Sequence, residues 1–342
     1  MPNSADFIAP WSVATFEATL NHWHMRLLAF LSGLLFFVLA GHAQSTDYPY
    51  PVRYVTVSGS GAPLRMAYMD VQPEGKSNGR CVLLLHGKNF NGVYWEGPAA
   101  FLRGQGFRVI VPDQVGWGLS DKPVAHYSFH GLADNTRRLL DTLGVGQVIV
   151  LGHSMGGMLA TRFALMYPDR VERLILENPI GLEDYRTFVP YVPFERQLAQ
   201  ELKADYASVR KYQQTYYPNW KPEYERYVAA QWQALQLPDF RTASYASALA
   251  SAMIYEQPVY YELHRVQAPT LLVIGQEDRT IVGKALLDPA TAARHGQYPK
   301  LGRWLQGQIK GSRLVELVGV GHIPHIQASE TFRNTVLDFL QQ

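Results

Sequence analysis

A ten-residue stretch, Val-Ile-Val-Leu-Gly-His-Ser-Met-Gly-Gly at 148–157, constrains the fold more than any other part of this 342-residue chain. Its apolar, β-branched start predicts a buried strand, and the small apolar residues at 158–167 predict a helix. The turn between them places Ser154 between Gly152 and Gly156. A Cβ at either glycine would crowd so tight a turn. A strand, a tight turn and a helix in this order predict that the Ser154 hydroxyl lies at the carboxyl end of a parallel sheet.

The same alternation of strand and helix runs through much of the chain. Apolar or β-forming runs predict further strands at residues 53–57, 64–71, 81–85, 107–111, 171–176, 270–275 and 314–318, of which the first two form a hairpin. Helices are expected at residues 95–103, 132–143 and 329–339. The pattern predicts an α/β fold, a mostly parallel sheet of about eight strands with helices on both faces.

The composition changes between Gly181 and Gly275. None of the 28 glycines lies between these two, whereas twelve of the twenty tyrosines fall at 185–261. Helical stretches at 195–212 and 223–235 alternate with prolines, which predicts a helical lid over 181–264 inserted between core segments at 44–180 and 265–342. The lid aromatics either line a pocket over Ser154 or form the lid's own core. They are Tyr185, Phe188, Tyr191, Phe194, Tyr212, Tyr216, Tyr217 and Trp220.

Charge and cysteine content exclude several classes of protein. The formal net charge is +2, from 31 basic and 29 acidic residues, and without a long basic run nothing indicates nucleic-acid binding. Cys81 is the single cysteine, so an internal disulfide is excluded. The sequence shows neither a Cys/His cluster with zinc spacing nor a glycine-rich phosphate-binding pattern, and we therefore expect no metal and no cofactor.

The N-terminal region has the pattern of an export signal. Residues 27–40 are fourteen uncharged, mostly apolar residues that follow Met25-Arg26 and precede small residues ending at Ala43. This run is short of the roughly 20 residues that span a bilayer. We expect residues 1–43 to be an extension and signal peptide cleaved after Ala43, leaving a periplasmic or secreted protein without a membrane span. An uncleaved membrane anchor is the alternative, and translation could start at Met1 or Met25.

Two further polar positions follow predicted strands. A serine hydroxyl needs a base to take its proton and a carboxylate to orient that base. Asp278 follows the strand at 270–275, and His322 follows the strand at 314–318. Since the carboxyl ends of parallel strands share one edge of the sheet, we expect Ser154, Asp278 and His322 to meet there.

Other titratable residues compete for these positions. Glu277 and Glu177 are alternatives for the orienting carboxylate, because each also follows a predicted strand. His325 lacks the preceding glycine of His322 and is expected behind the site or at the surface. His86 and His153 are expected to pack within turns.

Taken together, these motifs resemble the α/β-hydrolase superfamily, in its lidded, esterase-like branch. The motifs are Gly-His-Ser-Met-Gly-Gly at 152–157, His86-Gly87, Asp113 with Gly-Trp-Gly-Leu-Ser at 116–120, Gly275 with Asp278, and Gly321-His322. The resemblance, which covers nearly all of the chain after residue 43, implies the triad order serine, acid, histidine. It also implies an oxyanion hole formed by the backbone amides of Lys88 and Met155, with the Asn89 amide as an alternative. Many relatives have a hydrophobic residue where this chain has Lys88, but the amide is the same.

The implied activity is that of a serine hydrolase that cleaves a carboxylic ester, or a related acyl compound, through an acyl-enzyme on Ser154. Its expected partner is a small-molecule acyl substrate. Acyltransferases, perhydrolases and C–C bond hydrolases use the same triad and remain alternatives. A hydrolase-fold protein that binds a ligand without turnover is a further alternative. Dehalogenases and epoxide hydrolases of this fold use aspartate as nucleophile, and Ser154 argues against both.

Overall fold

The computed structural model describes residues 48–59 and 61–342, so the predicted signal segment lies outside the described residues. Eight strands form one sheet: β1 (Val52–Val57), β2 (Leu64–Val71), β3 (Cys81–Leu85), β4 (Arg108–Pro112), β5 (Val148–His153), β6 (Val171–Glu177), β7 (Thr270–Gly275) and β8 (Arg313–Leu317). The α-helices of the described residues are α1 (Glu96–Gly104), α2 (Phe129–Thr142), α3 (Met155–Met166), α4 (Phe194–Glu201), α5 (Tyr206–Gln214), α6 (Glu225–Leu235), α7 (Phe240–Glu256), α8 (Pro289–Arg294), α9 (Tyr298–Gln308), α10 (Pro324–Gln327) and α11 (Ser329–Gln341).

The sheet confirms the predicted α/β fold. Its strand order is β1-β2-β4-β3-β5-β6-β7-β8. Strand β2 pairs antiparallel with β1 and β4, and the remaining pairs are parallel. The opening hairpin begins where Val57 pairs with Leu64. Strand β5, which leads to Ser154, therefore lies near the middle of the sheet, between β3 and β6.

Both faces of the sheet are covered by helices. Val148 and Val150 of β5 belong to the hydrophobic cluster that includes side chains of α2, α3 and α9. Ile149 and Leu151 point to the opposite face, where α1 and α11 pack. Because successive side chains of a strand alternate between faces, a strand buried on both must be apolar at every position. This explains the uninterrupted apolar runs of β3, β5 and β7.

The segment between β6 and β7 is helical and contains no strand. The predicted helix at 195–212 is two helices, α4 and α5, because Asp205 starts a new one. The Asp205 carboxylate accepts the Ser208 N–H at 2.8 Å, and the Ser208 hydroxyl accepts the Asp205 N–H at 2.9 Å. The domain boundaries at 181–264 and the role of this segment as a lid stay predictions.

Helix α9 was not predicted from the sequence because Pro299, Gly302 and Gly307 weaken its helical pattern. The close packing of α9 on β7 explains the glycine at position 302, since a Cβ there would lie 3.0 Å from the Ile274 side chain. Among the helices of the described residues, none is both long enough and apolar enough to cross a membrane.

Candidate active site

Ser154 lies at the turn between β5 and α3 in a strained backbone conformation, with φ 57° and ψ −121°. The flanking glycines permit this turn because backbone atoms surround them. A Cβ on Gly152 would lie 2.1 Å from the Gly156 carbonyl oxygen, and a Cβ on Gly156 would lie 2.0 Å from that of Leu85. Both distances are far inside van der Waals contact, so neither position can carry a side chain without moving the strands.

The structure brings the three predicted polar residues together. His322 Nε2 lies 3.0 Å from Ser154 Oγ, and His322 Nδ1 lies 2.7 Å from Asp278 Oδ2. All three side chains are buried. With the Nδ1 proton donated to the carboxylate, Nε2 is left as an acceptor for the Ser154 hydroxyl proton. This is the arrangement that activates a serine as nucleophile.

The Asp278 carboxylate has further donors that the sequence analysis missed. Asn178 Nδ2 donates to Oδ2 at 2.6 Å, and the Thr280 N–H donates to Oδ1 at 2.8 Å. Burial raises the pKa of Asp278, but the electrostatic attraction of His322 and the hydrogen bonds from His322, Asn178 and Thr280 outweigh it and hold the pKa below its usual value. In the sequence, Asn178 could have been identified only by its position, since it directly follows β6, next to Glu177.

The alternative carboxylates do not contact His322. Glu177 accepts the backbone N–H of His325 at 2.7 Å, and its two oxygens lie 2.9 and 3.0 Å from His325 Nδ1. Glu277 is about half exposed, and its carboxylate is 3.9 Å from the Arg279 guanidinium. His325 is buried behind the site and stacks on Trp95, with ring centroids 4.4 Å apart.

The backbone around Lys88 is held from several sides. Gly87 C=O lies 2.9 Å from His86 Nδ1, and Lys88 C=O accepts the Trp117 indole N–H at 2.6 Å. A Cβ on Gly87 would be 3.2 Å from Ser154 Cβ, which shows that this loop runs directly beside the serine. Within the described residues, the N–H groups of Lys88 and Met155 donate to no protein acceptor. Their predicted role in an oxyanion hole requires such free amides.

The two turn histidines are buried and hydrogen-bonded. His86 Nε2 accepts the Gln114 N–H at 3.0 Å, which leaves Nδ1 as the donor to the Gly87 carbonyl. His153 lies between Tyr94 and the backbone of His322. Burial lowers the pKa of His86, and burial together with the neighbouring His322 lowers that of His153 further.

A cavity of about 480 Å³ adjoins Ser154 and is lined by core loops and by the helices between β6 and β7. Of the predicted lid aromatics, four line it: Tyr191, Phe194, Tyr212 and Tyr216. Tyr185 and Tyr217 are buried in hydrophobic clusters instead, and Phe188 stacks on His295. Trp220 packs edge-on against Tyr217, at 5.4 Å between centroids. Four of the eight aromatic residues thus line the cavity, and Tyr185 and Tyr217 belong to the hydrophobic clusters that pack on the sheet.

Comparison with known proteins agrees with this geometry. The sequence matches the family described as alpha/beta hydrolase fold over residues 80–329. A probable hydrolytic enzyme from Pseudomonas aeruginosa PAO1, known from its crystal structure, is 46% identical, with a TM-score of 0.84 over 87% of this chain and 96% of its own. A 2-hydroxy-6-oxononadienedioate/2-hydroxy-6-oxononatrienedioate hydrolase from Burkholderia vietnamiensis is 31% identical over 74% of this chain and 90% of its own.

A third relative, an uncharacterized protein of Mycobacterium tuberculosis, is 39% identical over 134 residues. The match spans 39% of this chain and 36%, about a third, of that relative's length. The family match covers most of the chain and agrees with the sheet order, and this protein therefore belongs to the α/β-hydrolase fold family.

Proposed function

We propose that this hydrolase cleaves carboxylic esters through an acyl-enzyme on Ser154. The observation that carries the proposal is the hydrogen-bonded series from Ser154 Oγ through His322 to Asp278, with distances of 3.0 and 2.7 Å. The series ends at a cavity whose volume suits a small organic molecule.

In the proposed reaction, His322 Nε2 takes the hydroxyl proton as Ser154 Oγ bonds to the acyl carbon. The carbonyl electron pair moves to the oxygen, which accepts hydrogen bonds from the free amides of Lys88 and Met155. The intermediate collapses and expels the alcohol oxygen, which takes the proton from His322. A water molecule then repeats the sequence on the acyl-enzyme, with His322 again as base, and releases the acid. Asp278 stabilises the His322 cation in both halves.

The charge of the cavity favours a neutral substrate. Its charged lining residues, among those described, are Lys88, Glu201 and Glu256. The ammonium of Lys88 is already 3.4 Å from the Glu201 carboxylate. A cavity with two carboxylates and a single, already paired ammonium disfavours the binding of a dianion, such as the dienedioate in the name of the Burkholderia relative. We therefore propose a neutral, partly apolar ester of small to medium size rather than a dicarboxylic C–C substrate.

The test is an activity panel on the full-length protein. We expect p-nitrophenyl butyrate to be hydrolysed faster than long-chain esters, and faster than mono-p-nitrophenyl succinate, which has a similar length but carries an anionic end. Ser154→Ala and His322→Ala should each lower kcat on the order of 10⁴- to 10⁶-fold, and the double variant should lose little more, because the triad acts as a unit. A fluorophosphonate should label Ser154 in the wild type.

Three outcomes would contradict the proposal. Preferential cleavage of a dienedioate over every ester would favour the C–C bond hydrolase. Transfer of the acyl group to alcohols in preference to water would favour an acyltransferase. A protein that is neither labelled by the fluorophosphonate nor active on any activated ester would be a binding protein of this fold.

We also propose that the chain is exported, because the uncharged run at 27–40 has the pattern of a signal sequence. N-terminal sequencing of the protein recovered from periplasm or medium should give a chain that begins after Ala43. An intact N-terminus in the membrane fraction would indicate an anchor, and an intact cytoplasmic chain would exclude export.

A further inference from the structure

Behind the proposed triad, two buried side chains form a directed series of hydrogen bonds. Gly87 N–H donates to Tyr94 Oη at 2.9 Å, Tyr94 Oη lies 3.1 Å from His153 Nδ1, and His153 Nε2 lies 2.8 Å from the carbonyl oxygen of His322. Tyr94 and His153 are both buried. The series therefore crosses the interior and joins loops far apart in sequence.

The direction of every bond follows from its two ends. The Gly87 N–H can only donate, and the His322 carbonyl can only accept. His153 Nε2 must therefore carry the proton, Nδ1 must accept, and the Tyr94 hydroxyl must donate to it. Burial keeps His153 neutral, since its pKa lies well below the usual value for an imidazole. One tautomer of His153 satisfies the whole series, whereas the other would set an Nε2 lone pair against the His322 carbonyl oxygen.

The series ends on the groups that the proposed reaction needs. Gly87 precedes Lys88, whose free amide is one predicted oxyanion donor. His153 precedes Ser154 in the chain, and its ring lies 4.8 Å, centroid to centroid, from that of His322. The backbone N–H of His322 donates to the Tyr216 carbonyl at 2.8 Å. The backbone of His322 is thus held on one side by the helical insertion and on the other by His153.

We propose that Tyr94 and His153 are positioning residues, which hold the Lys88 loop and the His322 backbone in register with Ser154. This inference rests on the proposed function. A displacement of about 1 Å between reacting groups costs on the order of 100-fold in rate. Loss of the series should therefore lower kcat much more than it changes KM, because neither Tyr94 nor His153 is among the residues that line the substrate cavity.

Two variants of His153 separate positioning from packing. In His153→Gln the side-chain amide reaches the place of Nε2 and donates to the His322 carbonyl. In His153→Asn the shorter side chain reaches the place of Nδ1, near Tyr94, and leaves that carbonyl without its donor. We expect kcat of His153→Asn to fall about 10- to 100-fold at nearly unchanged KM. His153→Gln should restore most of that loss.

A stability control accompanies this pair. Phe339→Leu in α11 truncates a buried side chain beside Arg173, near the amino end of β6 and so at the opposite edge of the sheet from the triad. It should lower the melting temperature while leaving kcat as it is. Equal kcat losses in His153→Gln and His153→Asn, or losses that follow melting temperature across all three variants, would show a packing role and overturn the proposal.

A second measurement needs no turnover. In the full-length protein, ¹⁵N NMR of the His153 ring should show a protonated Nε2 and an unprotonated Nδ1, both unchanged between pH 8 and pH 5.5. Tyr94→Phe should shift the Nδ1 resonance, because it removes that nitrogen's donor. A His153 protonated at Nδ1, or charged at pH 5.5, would overturn the series even in an inactive protein. The expected tautomer in a wild type that cleaves no ester would instead refute the proposed function alone.

Discussion

At the scale of single residues, the site depends on glycines that admit close backbone contact. Gly156 faces the Leu85 carbonyl of β3, and Gly152 faces Gly156 itself. Neither glycine has a positive φ, so the reason for glycine here is space rather than conformation. The strain lies instead at Ser154, whose φ of 57° is held by the elements on either side.

We predict that Gly156→Ala lowers the free energy of unfolding by at least ~2 kcal/mol, because its Cβ would lie 2.0 Å from a buried carbonyl oxygen of the central sheet. Gly104→Ala is the matched control, since a Cβ at the end of α1 has no atom within 4 Å. This control should gain about 0.5 kcal/mol. Urea denaturation of both variants measures the difference. Similar stabilities would mean that the turn relaxes more easily than its contacts indicate.

At the scale of secondary-structure elements, Lys88 joins the core to the helices between β6 and β7. Its ammonium donates to Ser247 Oγ of α7 at 2.9 Å and lies 3.4 Å from Glu201 of α4. The side chain is about one-fifth exposed, so the contact is screened less than a surface ion pair. Besides the backbone amide that is predicted to donate to the oxyanion, Lys88 thus has a side chain that ties two helices to the core.

We predict that Lys88→Met makes the region of α4 and α7 more sensitive to limited proteolysis, because the variant loses both contacts and local opening costs less. The backbone amide is unaffected, so the loss in kcat for a neutral ester should stay below the ~100-fold that follows removal of an oxyanion donor. Lys221→Met is the control, because that lysine is half exposed and its ammonium forms a surface ion pair, at 3.6 Å, with the exposed carboxylate of Glu223. Equal cleavage rates for the two variants would argue against a tether.

At the scale of the whole molecule, two buried histidines link stability to pH. Burial lowers the pKa of His86 and of His153, whereas both return to about 6.5 when the chain unfolds. Below pH 6.5 the unfolded state then binds more protons than the folded state. Stability is therefore fully present above that pH and declines as pH falls from 6.5 toward the folded pKa values.

We predict that stability declines between pH 6 and pH 5, by up to roughly 1.4 kcal/mol per pH unit for each of these histidines that stays neutral in the folded protein. Urea denaturation at several pH values measures the slope. In His86→Gln the free energy of unfolding should depend less steeply on pH, because one of the two histidines that take up a proton on unfolding is gone. This change in slope is expected even if the variant is less stable than the wild type at pH 7.5. An unchanged slope in this variant would show that His86 is protonated in the folded protein.

The α/β fold was determined by local features of the sequence. Strands that are buried on both faces need uninterrupted apolar runs, and those at 81–85 and 270–275 are found where they were predicted. Ser154, Asp278 and His322 were identifiable because each follows a strand, and parallel strands bring their carboxyl ends to one edge. The structure places these three side chains within hydrogen-bonding distance, and their catalytic role stays a prediction.

Only the tertiary structure decided which polar groups support them. Tyr94 reaches His153 across 59 positions of sequence, and Asn178 reaches Asp278 across 100. Glu177, a candidate for the triad, is paired with His325 instead. Such contacts depend on where two distant elements pack and on the direction of each side chain. A local pattern specifies neither, because side-chain direction is settled only when the layers of the fold come together.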